Sequence, residues 1–282
     1  MKKFFHRILR GLIYVFAAIG LIFTAVFFGM KFGLFNVRGS IATRNQFFTI
    51  GKQENTVTTL PCSDSQTVCD WNQTPEWQAI KGGLQKDAPL IARVSTETGV
   101  PARMIAAVVV PEQTRFFTAN REIFKSYFEP LKILGSLTQF SLGISGIKQE
   151  TATAVEKNAA DVTSPFYPGP SVASLFTYPE GANHDAELYN RLTDTKDHYY
   201  QYLYTGLYLK EVATEWARAG FDVTRKPEVA VTLFNLGFQA SRPNPIPRVA
   251  GAPILTGGKI YSYGELGSAF YHSNELTDIF PQ

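Results

Sequence analysis

The chain of 282 residues is 45% hydrophobic, 13% aromatic and 18% charged, a composition that excludes a disordered or low-complexity protein. Its net charge of +3 is concentrated at one end, because residues 1–44 hold seven Lys or Arg and no acid, leaving 20 basic against 24 acidic side chains in residues 45–282. The main body is mildly acidic, so a nucleic-acid partner has no electrostatic support.

Residues 11–30 form an uncharged, apolar stretch. As a helix rising about 1.5 Å per residue it reaches across the roughly 30 Å hydrocarbon core of a bilayer. Lys2, Lys3, Arg7 and Arg10 precede it and favour a cytoplasmic N-terminus. The alternative is a cleaved signal peptide processed at Ser40-Ile41-Ala42, but the apolar run exceeds the usual length of about 7–15 residues. The chain thus divides into a basic cytoplasmic tail (1–10), a transmembrane helix (11–30), a polar membrane-proximal extension (31–86) and a main domain (87–282). A single pass would place that domain outside the inner membrane. Cys62 and Cys69 are the only cysteines. In an extracytoplasmic domain they read as a local disulfide, and in a reducing cytosol as free thiols. Neither they nor the four histidines have metal-ligand spacing, and no cofactor motif is present.

Thr74-Pro75-Glu76 reads as a helix start, with Gly82-Gly83 interrupting that helix and Asp87 capping the next, which stops at Gly99. Pro101 opens a helix that is apolar on most sides through Met104, Ile105, Val108 and Val109, the pattern of a buried central helix. Residues 121–129 read as a short amphipathic helix and 163–182 as a Pro- and Gly-rich loop. Asp194 is expected to cap a long helix ending at Gly220, whose tyrosines (Tyr199, Tyr200, Tyr202, Tyr204 and Tyr208) read as a packing face or as sugar platforms. Lys226-Pro227-Glu228 starts another helix, and Thr256-Gly257-Gly258-Lys259 suggests a hairpin. Helices with few strand signals give a mainly α domain.

Glu112 ends the apolar helix, with Val108 to Val110 before it and Phe116 and Phe117 after it. A carboxylic acid that donates a proton near neutral pH needs apolar surroundings of this kind. Gly146-Ile147-Lys148-Gln149 follows, then Thr151-Ala152, and later Leu233-Phe234-Asn235-Leu236-Gly237.

In this order the three segments resemble the lysozyme-like domain of lytic transglycosylases, which cut the glycan strands of bacterial peptidoglycan. That family has a Glu at the end of an apolar helix, then Gly-Leu-Met-Gln with a Thr-Ala pair, then Ala-Tyr-Asn-x-Gly. The resemblance covers residues 87–240. It implies a goose-type lysozyme fold and a single catalytic acid at Glu112. It also implies glycan contacts from Gly146, Gln149 and Asn235, with Tyr261 as the counterpart of a tyrosine near the acid. No metal or cofactor is implied. Two departures stand beside Glu112, Pro111 and Gln113, where the family has a small residue after the Glu, and Pro111 is expected to kink or end the helix. The spacing from Glu112 to Gly146 is also longer than is usual, through an insertion at residues 118–140. A hydrolytic mechanism would need a second carboxylate, for which Glu122, Glu129, Glu150 and Asp161 are candidates. A membrane-tethered, noncatalytic glycan-binding scaffold of the same fold is the other reading.

Overall fold

The computed structural model describes residues 68–118 and 141–282, together with Tyr14, Gly20, Leu21 and Thr24, which are helical. Most of the expected 11–30 span, the 121–129 helix and Cys62 lie outside these residues. Among the described residues no helix is long and apolar enough to cross a membrane. The protein is mainly helical. Among the described residues from 68 onward, seven α-helices follow one another as α1 (Pro75–Thr98), α2 (Ala102–Thr118), α3 (Gln149–Ala160), α4 (His184–Thr193), α5 (Tyr199–Arg218), α6 (Pro227–Leu236) and α7 (Tyr263–Tyr271). Two antiparallel hairpins interrupt them: β1 (Ser141–Leu142) with β2 (Ile147–Lys148), and β3 (Pro253–Thr256) with β4 (Lys259–Ser262).

Helix α1 begins where the Thr74 hydroxyl accepts the Trp77 amide at 3.2 Å and ends at Gly99, in the left-handed region at φ 73°. Gly82-Gly83 does not interrupt it, and Asp87 caps nothing. Trp77, Ile80, Leu84, Ile91 and Val94 make one buried stripe along the whole helix. A helix-interior glycine costs only about 1 kcal/mol, less than a single buried leucine contributes. Asp87 is instead a buried acceptor, 2.6 Å from His198 Nδ1 and 2.9 Å from the Tyr202 hydroxyl, and fastens α1 to the start of α5. The expected boundary at residues 86–87 falls inside this helix. The folded unit begins earlier, where the Trp71 ring meets Trp77 edge-on at 4.9 Å and Trp77 packs on Phe270 of α7.

Helix α2 is the centre of the domain. Residues 103–115 are buried without a break, and α1, α5, α6, α7 and β3 all pack against it. The helix runs through Pro111 to Thr118 rather than ending there. Proline leaves the carbonyl four residues back without its helical donor, a loss of about 3 kcal/mol or more. Packing on every side outweighs that cost. The Ala107 carbonyl, the group deprived of its donor, faces Gly267 of α7 so closely that a Cβ there would stand 2.7 Å away. The neighbouring Val108 carbonyl accepts the Tyr263 hydroxyl at 3.1 Å.

Asp194 does not cap the long helix. It follows α4, a helix absent from the sequence expectation, and its carboxylate accepts the amides of Lys196 and Asp197 in the connecting turn. Helix α5 starts at Tyr199. Tyr202, Tyr204 and Tyr208 are fully buried, so these rings pack the core and are not sugar platforms. The β3–β4 turn is the expected Gly257-Gly258 pair, both at positive φ. Its carbonyl at Gly257 accepts the amide of Cys69 at 2.9 Å, and Cys69 is disulfide-bonded. The capping box of Ser262 and Glu265 starts α7 directly after β4.

Arg103 closes the chain end. Its guanidinium is fully buried and donates to the carbonyls of Phe270, Tyr271, Ser273, Glu275 and Phe280 at 2.6–3.0 Å. Five donors meet five acceptors at the negative end of α7. Arg103→Lys keeps the charge but offers three donors from one atom. It is expected to cost about 3 kcal/mol or more in urea denaturation. Arg225→Ala, at an exposed position, should stay within about 0.5 kcal/mol of the parent.

Candidate functional site

A groove of about 610 Å³ opens over the C-terminal half of α2. Glu112 and Gly146 form its floor, and Lys148, Glu150, Thr151 and Ala154 form the wall along α3. The opposite wall is the end of α6 with the short 3-10 turn Phe238–Ala240, including Phe234, Asn235, Gly237 and Phe238.

Glu112 is 1% exposed although it borders this groove. Gly146 lies directly against it. Gly146 has φ +67°, and a Cβ added there would come within 2.5 Å of the Glu112 carboxyl carbon and 2.9 Å of its Cγ. Both the left-handed backbone and the close approach require glycine. The turn that carries Gly146 is fixed from two helices. Gln113 of α2 donates its side-chain amide to the Ile144 carbonyl. Gln201 of α5 accepts the Ile144 amide at 2.7 Å and donates to the Asp194 carbonyl at 2.6 Å. Gln113, a departure from the family pattern, is therefore the group that anchors the loop over Glu112.

Two residues beside Glu112 were not anticipated. Arg115, one helical turn on, brings Nη2 to 3.9 Å from Glu112 Oε1, and both side chains are buried. The Arg115 guanidinium lies 5.9 Å from the centre of the Tyr263 ring. Tyr263, whose hydroxyl reaches Val108, is thus the tyrosine on the Glu112 helix, and Tyr261 is not. Tyr261 is a half-buried strand residue paired with Ile254 and does not line the groove. The Ser-x-x-Glu signature at Ser262 to Glu265 marks a helix start and would have pointed to Tyr263 as its first, inward-facing residue.

The other expected residues divide. Asn235 lines the groove, where its Oδ1 accepts the Ala252 amide at 3.0 Å. This bond fixes the orientation of the amide. Its Nδ2 is buried and has no hydrogen-bond partner among the described residues. Gln149 does not join it. The Gln149 side chain is buried behind the α3 wall and donates to the Asp185 carbonyl at 2.9 Å, so it ties α3 to α4. Of the alternative carboxylates, Glu150 stands on the groove wall, exposed and 3.3 Å from Lys148 Nζ. Asp161 is an exposed loop acceptor for Thr163, and Glu122 and Glu129 lie outside the described residues.

Another buried carboxyl, besides Asp87, lies away from the groove. Glu211 of α5 is fully buried, accepts one bond from Asn158 Nδ2 at 3.1 Å, and has its pKa pushed up to about 9 by desolvation. Comparison with protein-family models, with curated proteins and with solved structures finds no match.

The Gly146 contact gives a double-mutant test. Gly146→Ala is expected to lose about 2 kcal/mol or more, through left-handed strain and collision with the carboxyl. Glu112→Ala removes the collision but not the strain, so the double variant should be more stable than the sum of the two single losses. Strict additivity in urea denaturation would contradict the contact. Glu211 gives a pH test. Below the ordinary carboxyl range both folded and unfolded states hold the proton. As pH rises from about 4.5 towards about 9, only the unfolded state releases it, so stability falls. Glu211→Gln should remove this slope, with melting temperatures that separate progressively from the parent between pH 5 and pH 9.

Proposed function

We propose that this protein is a membrane-anchored lytic transglycosylase with a lysozyme-like fold, acting outside the cytoplasmic membrane on peptidoglycan. The bond cut is the β-1,4 linkage from N-acetylmuramic acid to N-acetylglucosamine. The observation that carries this reading is the buried Glu112 held against Gly146 at the groove floor, with Asn235 on the facing wall. Three segments far apart in sequence, singled out by the order of their residues, converge on one groove.

The chemistry needs one carboxyl group. Glu112 in its acid form gives its proton to the glycosidic oxygen as the bond to the muramyl C1 breaks. The resulting carboxylate then takes the proton of the muramyl 6-hydroxyl while O6 bonds to C1 and closes a 1,6-anhydro ring. The proton returns to Glu112, and no water is consumed. Arg115 beside the carboxyl is placed to balance its negative charge between the two steps. The buried, fixed Nδ2 of Asn235 suits a carbonyl acceptor such as an acetamido group. The two departures beside Glu112 have structural roles compatible with catalysis: α2 continues through Pro111, and Gln113 holds the Ile144 turn.

Glu150 favours a second reading, hydrolysis, because it is a second carboxylate on the same groove. Digestion of peptidoglycan in oxygen-18 water by the full-length protein separates the two. The lytic reading predicts anhydro-ended products without the heavy isotope, and a loss of about a thousandfold or more in Glu112→Gln. Isotope in most new ends, together with inactivity of Glu150→Gln, would establish hydrolysis instead. Undiminished cleavage by Glu112→Gln would remove Glu112 from the chemistry.

A further inference from the structure

Three ionisable side chains line the groove among the described residues, and they are unequal. Glu112 is buried at the floor, whereas Lys148 and Glu150 stand on the α3 wall. Lys148 is the only cation among the described residues of that lining. Arg115 lies beside Glu112, is 6% exposed and does not line the groove. Lys148 is the third residue of Gly146-Ile147-Lys148-Gln149. The corresponding Gly-Leu-Met-Gln of lytic transglycosylases has an uncharged thioether there, so the positive charge is a departure of this chain within its own groove.

The backbone that carries this charge is fixed by the turn over Glu112. Ile147 is buried, and Ile147 and Lys148 pair with Leu142 and Ser141 in the first hairpin. Lys148 is also the N-cap of α3, in extended conformation at φ −82° and ψ 148°. Its α-carbon lies within about 7 Å of that of Gly146, the span of two extended residues. Its flexible four-carbon stem therefore reaches a sugar seated on Glu112. The ammonium meets Glu150 Oε1 at 3.3 Å. Side-chain exposures of 33% and 46% keep that pair in solvent, where such contacts are weak and readily exchanged. With three donors, the ammonium can take a second carboxylate beside Glu150 or in its place.

We infer that Lys148 reads a carboxylate carried on the bound sugar itself, so that the groove favours glycan strands whose stem peptides have been removed. This rests on the reading of the groove as a glycan site. The carboxylate is that of the lactyl ether on O3 of N-acetylmuramic acid. In a stem-free strand it is ionised near neutral pH. With a peptide attached it is a neutral amide, and the next negative charge lies farther from the ring. The reaction that supplies the favoured strand is therefore hydrolysis of that amide. Lys148 is a specificity-determining residue and takes no part in either proton step.

The test titrates full-length Glu112→Gln protein, which should hold glycan without cutting it, with three oligomers of one length. All alternate N-acetylglucosamine and N-acetylmuramic acid and differ only at the lactyl group, as free acid, primary amide or stem peptide. The acid is expected to bind about fivefold more tightly than the amide, the effect of one partly exposed charge pair. The stem-bearing oligomer should bind like the amide. Lys148→Met on the same background should bring the acid down to the amide and leave the affinity for the amide unchanged, whereas a structural role would weaken all three together. Lys148→Arg should keep the preference, and a thermal melt of each variant establishes that it is folded. Three results overturn the inference while the glycan reading stands: equal binding of acid and amide, equal binding of acid and stem-bearing oligomer, or a preference that folded Lys148→Met retains. Failure of all three oligomers to bind overturns the glycan reading and the inference with it.

Discussion

Glu112 is held against the bare α-carbon of Gly146, and much of the domain serves to keep it there. A carboxyl group removed from solvent loses hydration worth several kcal/mol, so it must be given partners and walls by structure elsewhere. The partners come from its own helix, where Arg115 follows one turn later. The walls come from a turn that two glutamines pin to α2 and α5. Nothing larger than hydrogen at residue 146 fits, which is why a positive-φ glycine occupies the point of closest approach.

The position of Glu112 depends in turn on α2 being central and packed on all sides. The helix is wrapped by α1, α5, α6 and α7. Proline at position 111 leaves a carbonyl on the turn before Glu112 without a helical donor, and α7 covers that turn at Gly267 and Tyr263. Arg103, at the opposite end of the same helix, gathers the last carbonyls of the chain onto α2. The C-terminal segment is thus part of the support of the groove. The resemblance to lytic transglycosylases spans residues 87–240, whereas the folded core extends from Trp71 to Phe280.

Much of this arrangement was legible in the residues themselves. The apolar run before Glu112 pointed to a buried central helix, Gly99 marked the end of α1, and Gly257-Gly258 marked a hairpin, because each depends on local chemistry alone. The errors arose where tertiary packing overrode local preference. Gly82-Gly83 and Pro111 are punctuation only in an isolated helix, and here a continuous buried face carries the helix through both. Gln149 matched a motif by position, but the first turn of α3 directs its side chain behind the wall to the Asp185 carbonyl. Tyr261 and Tyr263 differ by one strand-to-helix junction, and only the fold decides which one faces α2. Arg103 and Gln201 act through contacts far along the chain, for which local periodicity carries no signal.

The central claim is that the groove over Glu112 is where a glycan is cut. A crystal structure of the Glu112→Gln protein with a bound N-acetylated glycan oligomer tests it most directly. The account predicts a glycosidic oxygen within about 3 Å of the side chain at residue 112, with a carbonyl of the sugar on Asn235 Nδ2. A glycan seated on another face of the protein, or in the groove with no glycosidic oxygen near residue 112, would contradict it.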